Sequence, residues 1–152
     1  METIKIVDFN PVFLDIFEKY KKIIHEILSD LHIELFGSAA VPMNGKEEID
    51  ILIIADNYKE IQEILSQNGF GKGPIEGTIA YLRDYRFGIE AEFHIMHSKT
   101  KKIEQARALV EILKKNPKLR KKFEDFKRSC DGMSREDYRK RKTEFIKKIF
   151  EK

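Results

Sequence analysis

Three short patterns carry most of the chemistry this chain could do. Gly37-Ser38 is followed, after nine residues, by Glu48-Ile49-Asp50-Ile51, and a later segment reads Glu90-Ala91-Glu92-Phe93-His94. In an extended strand, side chains two apart share a face. Glu48 and Asp50 therefore share one face, and Glu90, Glu92 and His94 share another. If the two strands are neighbours, several carboxylates meet and repel one another unless a cation is present. Mg²⁺ (or Mn²⁺) is the expected cation, because it takes carboxylate, water and phosphate oxygens together. A Gly-Ser turn beside it offers backbone N–H groups and a hydroxyl to a phosphate. That combination suits phosphoryl or nucleotidyl transfer, where positioning and charge neutralisation carry most of the catalysis.

Individual residues are weighed against plainer roles. Asp50 lies among Ile49, Ile51 and Leu52, and a carboxylate beside a buried run needs a partner or a metal. Glu48, near a strand edge, suits either metal binding or a solvated surface. Glu92 is preferred over Glu90 as the third carboxylate. His94 alternates with Phe93 and Ile95, where a lone histidine is more often a hydrogen-bonded structural imidazole than a site base. Arg83 and Arg86 read as a solvated strand edge. Gly71 and Gly73 lack the strand-to-helix context of a dinucleotide fingerprint. Zinc is not expected, since Cys130 stands alone and no histidine pair has ligand spacing on one helix.

The elements that must position these residues follow from periodicity. Asn10-Pro11 starts a helix over about 11–30, with Phe13, Ile16, Phe17, Tyr20, Ile24 and Ile27 at three- and four-residue steps. Residues 32–36 alternate and end at Gly37, so they read as a strand with a turn; 38–46 read as a loop. Residues 48–55 read as a strand and Tyr58–Gln67 as a short helix. Glycine-rich 71–77 reads as a loop or irregular hairpin, followed by strands over about 78–86 and 88–96. From Ser98 the pattern is helical, with new starts at Asn116-Pro117 and at Ser134, where Asp137 resembles the partner of a capping box. The order predicts an α+β chain, a small mixed sheet flanked by helices with a C-terminal three-helix segment.

The 152 residues suit one domain. Charge is divided unevenly. Residues 1–97 hold 9 basic and 17 acidic side chains, whereas 98–152 hold 20 basic and 9 acidic. This split argues against a histone-like chain, in which basic charge would cover the whole length. The tail aromatics sit at core spacing, so nucleic-acid binding by base stacking is weakly supported. The longest apolar run, Ile51 to Ala55, is far short of the roughly 20 residues of a span. A lone cysteine and no signal-peptide layout lead to the expectation of a cytoplasmic protein with no membrane partner.

Gly37-Ser38, nine residues and Glu48-x-Asp50 resemble the signature of the nucleotidyltransferase (polymerase-beta-like) superfamily. Phe36-Gly-Ser-Ala-Ala-Val-Pro42 followed by Ile49-Asp50-Ile51 resembles the GrpB family within it. Val7-Asp-Phe-Asn-Pro11 is similar to that family's opening segment. Asn116-Pro-Lys-Leu-Arg120, Tyr138 and Lys142-Thr-Glu-Phe-Ile146 are similar to its closing helices. The resemblance implies a nucleotidyltransferase-like fold over 1–152. It implies that Gly37 and Ser38 hold the triphosphate, that Glu48, Asp50 and Glu92 hold metal, and that Asp50, Glu92 and His94 carry catalysis. A nucleoside triphosphate is the expected ligand, and its monophosphate would pass to an acceptor the resemblance does not name. Two departures stand out: Glu48 replaces the superfamily's usual Asp, and Glu92-Phe93-His94 stands where the family has His-x-His. A non-catalytic nucleotide- or RNA-binding module, or an antitoxin-like partner-binding protein on the same fold, is the alternative.

Overall fold

The computed structural model describes residues 2–151. The chain runs β1 (Ile6–Val7), α1 (Val12–Ile27), β2 (His32–Phe36), a 3-10 turn at Ser38–Ala40, β3 (Gly45–Lys46), β4 (Glu48–Ile54), α2 (Tyr58–Gln67), β5 (Gly71–Glu76), β6 (Ile79–Asp84), β7 (Glu90–Met96), α3 (Lys101–Lys115), α4 (Pro117–Ser129) and α5 (Arg135–Phe150). Five strands form one mixed sheet in the order β2-β4-β7-β6-β5. The central pair, β4 and β7, is parallel, and the other neighbours are antiparallel.

Strand alternation sorts the sheet into two faces. Ile49, Ile51 and Ile53 of β4 and Ala91, Phe93 and Ile95 of β7 point to the face covered by α1 and α2, where they join Phe13, Tyr20, Ile24, Ile61 and Leu65 in the largest core cluster. Tyr20, wholly buried, anchors it through a 2.6 Å hydrogen bond donated to Asp84. Glu48, Asp50 and Leu52, with Glu92, His94 and Met96, point the other way. There Leu52, Ile79 and Met96 pack under Ile103 of α3. A third cluster, Val41, Met43, Leu113 and Phe123, ties the loop after the 3-10 turn to α3 and α4. In the tail, Phe145 stacks on Phe123 and Phe126 at centroid distances of 4.9 and 4.6 Å.

The helix starts behave as their sequences require. Asn10 accepts the Val12 N–H, Asn116 the Leu119 N–H and Ser134 the Asp137 N–H through their side chains. Of the two readings of 71–77 the irregular hairpin holds: β5 pairs with β6 in a ladder irregular between Lys72 and Ile75, and its edge position tolerates Pro74. Two expectations need revision. The expected loop at 38–46 contains a 3-10 turn and a two-residue strand, β3, that pairs with β1. Arg86 does not stand free in solvent: it bonds Asp84 at 2.6 Å and lies over the Phe70 ring. No helix among the described residues is long and apolar enough to cross a membrane.

Candidate active site

Register decides which acids meet. In the parallel β4–β7 ladder, Glu48 lies opposite Glu90 and Asp50 opposite Glu92. Across the next ladders, Phe36 faces Asp50, Arg83 faces Glu92 and Tyr81 faces His94. Two sets of donor atoms converge, each within 4.8 Å: Asp50, Glu92 and His94, and Glu48, Glu90 and Glu92. The expected trio Glu48, Asp50 and Glu92 is therefore divided between two sets that share Glu92. Glu90, the less favoured candidate, is buried and belongs to one of them.

Gly37 and Ser38 close the end of β2 beside these acids. Gly37 has φ +73°, a conformation that costs other residues energy. A Cβ there would lie 2.6 Å from Asp50 Oδ2, so the turn backbone packs directly on the carboxylate. Gly45 on β3 plays the matching part for Ser38, since a Cβ on it would collide with the Ser38 hydroxyl.

His94 is clamped edge-on between the rings of Phe36 and Tyr81, each at 4.9 Å. Its Nε2 lies 3.0 Å from Glu92 Oε1 and 3.9 Å from Asp50 Oδ1. Neither oxygen is aligned with the ring nitrogen, which is buried without a hydrogen-bond partner, as is Glu90 Oε2.

The basic tail supplies the rest of the site. One cavity of about 320 Å³ is lined by Gly37, Ser38, Glu48, Asp50, Glu92 and His94 on the sheet side, and by Lys127, Arg135, Tyr138, Arg139 and Lys142 from α4 and α5. Lys46 pairs with Glu48 at 2.8 Å. Lys127, only 2% exposed, donates to the Asn44 carbonyl. A signal for the two lysines was present: each interrupts an apolar helical stripe, Phe123-Lys127-Cys130 along α4 and its C-cap and Tyr138-Lys142-Phe145 on α5.

Burial and crowding set the protonation states. Burial, and then the shared contact with Glu90 and the charge of Asp50, push the Glu48 carboxyl well above the usual range. The contact with Glu48 and the hydroxyl of Tyr85 hold Glu90 low. Burial also raises Asp50, against the pull of His94, Lys142 and Lys46. Contact with His94 lowers Glu92. Burial drops the Lys127 ammonium to about 7, helped by repulsion from Lys142, and burial lowers Lys142 as well.

The donors fit a divalent cation. The carboxylate oxygens of Glu48, Glu90, Glu92 and Asp50 suit Mg²⁺ or Mn²⁺, whereas the His94 imidazole is not a preferred magnesium ligand. Of three buried side-chain atoms without partners among the described residues, Glu90 Oε2 and His94 Nε2 each belong to one of the converging sets, and Asn44 Oδ1 to neither.

A mixed sheet bearing its acids on adjacent parallel strands beside a Gly-Ser turn is a nucleotidyltransferase-like fold. Over 74% of the chain it superimposes on the Cid1 RNA terminal uridylyl transferase with a TM-score of 0.54 at 15% identity, and on a cytoplasmic RNA terminal U-transferase with a TM-score of 0.53 at 15%. The chain spans 38% of each of those structures. Within this class the chain belongs to the GrpB family, whose model, described as GrpB protein, matches residues 3–152. A conserved GrpB protein from Enterococcus faecalis superimposes with a TM-score of 0.72 at 21% identity, over 95% of this chain and 99% of that one. A UPF0157 protein of Vibrio cholerae is 26% identical over 155 residues, covering 98% of this chain and 81% of the relative.

Proposed function

We propose that the chain is a metal-dependent nucleotidyltransferase that binds a nucleoside triphosphate and passes its monophosphate to an acceptor. The observation that carries this reading is the parallel register that sets Asp50 beside Glu92, with the Gly37-Ser38 turn packed on Asp50. Asp50 and Glu92 hold Mg²⁺ or Mn²⁺, with Glu48 beside them. When bound, the cation neutralises charge on the triphosphate. Gly37 and Ser38 present backbone N–H groups and a hydroxyl to the phosphates, and Arg139 and Lys142 face them from α5. The acceptor oxygen bonds to the α-phosphorus as the bond bridging the α- and β-phosphates breaks, and pyrophosphate leaves. His94 Nε2, buried 3.0 Å from Glu92 Oε1, is the imidazole beside the acids and the candidate to take the acceptor's proton.

A second reading has its own observation. Lys46 already pairs with Glu48, and Lys142 already offsets Asp50. A non-catalytic nucleotide- or RNA-binding module would use that internal neutralisation in place of metal. Thermal-shift measurements with the four nucleoside triphosphates, with and without Mg²⁺ or Mn²⁺, separate the two. The enzyme reading expects a metal-dependent shift that Asp50→Ala abolishes. A shift that needs no metal and survives Asp50→Ala supports the binding module instead.

A further inference from the structure

The site cavity has a second wall for which phosphate chemistry has no use. Besides the acids it is lined by Val41, Met43, Leu109, Val110, Leu113 and Phe123. None of these side chains donates or accepts a hydrogen bond. A nucleobase placed there would leave its polar edge unsatisfied, a cost large enough to offset its apolar packing on the wall. The tail phenylalanines stack on one another, so they offer no open platform for a nucleic-acid strand. The cavity's volume of about 320 Å³ is that of a small-molecule site. Charge also meets the apolar wall at a defined level. Lys142 lines the cavity and precedes the lining residue Ile146 by one turn of α5.

We infer that this half of the cavity binds a small amphiphile: an aliphatic group against the α3–α4 wall, with an anionic head at Lys142, which is less buried than Lys127. Its assignment as the acceptor rests on the nucleotidyltransferase reading; the binding itself does not.

The test is calorimetric titration of the full chain, without nucleotide or metal, using inorganic phosphate and n-butyl, n-hexyl and n-octyl phosphate below their micelle concentrations. Affinity is expected to rise by up to about fourfold per methylene until the wall is covered. Equal affinity for inorganic phosphate and octyl phosphate overturns the inference. Octanoate is the comparison for the head: binding equal to that of octyl phosphate assigns a general anion site, and weaker binding assigns a phosphate site. Ala106→Trp, which fills the cavity from α3, is expected to remove the chain-length dependence, and wild-type binding of octyl phosphate by this variant overturns the inference. If Ala106→Trp does not fold, Leu109→Asn takes its place: it should weaken octyl phosphate more than butyl phosphate, and equal weakening counts against the wall. The nucleotide shift with Mg²⁺ is measured on the same variants. Its absence in a wild-type chain that binds octyl phosphate refutes the nucleotidyltransferase reading alone, whereas its presence without alkyl binding refutes the amphiphile alone.

Discussion

Lys127 is the buried cation whose removal has the most distinctive signature. Its ammonium is 2% exposed and is held at about 7 against an ordinary 10.5, because burial penalises the charge and Lys142 repels it. The folded-state value is depressed, so between about pH 7 and 10.5 the unfolded chain binds more protons than the folded one. Stability from this group therefore rises with pH across that window, and below it the full penalty is present. At 1.36 kcal/mol per unit, the contribution changes by about 3 kcal/mol between pH 6.5 and 9.5. Lys127→Met keeps the aliphatic stem and removes the charge, but leaves the Asn44 carbonyl without its donor, at a cost of about 1–2 kcal/mol. The variant is expected to be more stable than the parent by about 3 kcal/mol at pH 6.5 and close to parity at pH 9.5. Urea unfolding of both proteins at the two pH values measures this. A stability difference that does not change with pH, or a variant less stable at pH 6.5, refutes the assignment of a penalised charge at Lys127.

Two further outcomes follow from the same site. Gly37→Ala places a methyl group 2.6 Å from Asp50 Oδ2 in a left-handed backbone, so a loss of about 1–3 kcal/mol is expected in urea unfolding, together with weaker metal-dependent nucleotide binding. Glu48 is raised in the folded state, so the folded chain binds more protons than the unfolded one from the ordinary carboxylate range upward. Stability from this group falls as pH rises through that range toward neutrality, and Glu48→Gln should flatten that part of a stability-versus-pH profile.

The acids were legible because strand alternation has a fixed period: Glu48 with Asp50, and Glu92 with His94, had to share faces whatever the topology. Their pairing was not, because β4 and β7 are separated in sequence by a helix and a hairpin, and a shift of one residue would have turned one set to the opposite face. That register is what brings Glu90 to Glu48 and gives it a buried place the sequence did not reveal. β5 was ambiguous because its glycines and Pro74 suit a turn as well as an irregular edge strand. β1 and β3 have two residues each, too few for any period to show. Lys127 and Lys142 are the instructive omission. A basic helix face is usually solvated, yet these two lysines stand inside apolar stripes, and a charge there faces either a core defect or a site.

The central claim is that Asp50 and Glu92 hold a metal beside a triphosphate on Gly37-Ser38. Anomalous diffraction from crystals grown with Mn²⁺ and a non-hydrolysable nucleoside triphosphate analogue tests it most directly. The account predicts a manganese peak bonded to Asp50 and Glu92, with phosphate density against Ser38. Nucleotide bound without manganese at Asp50, or both bound elsewhere, would contradict it.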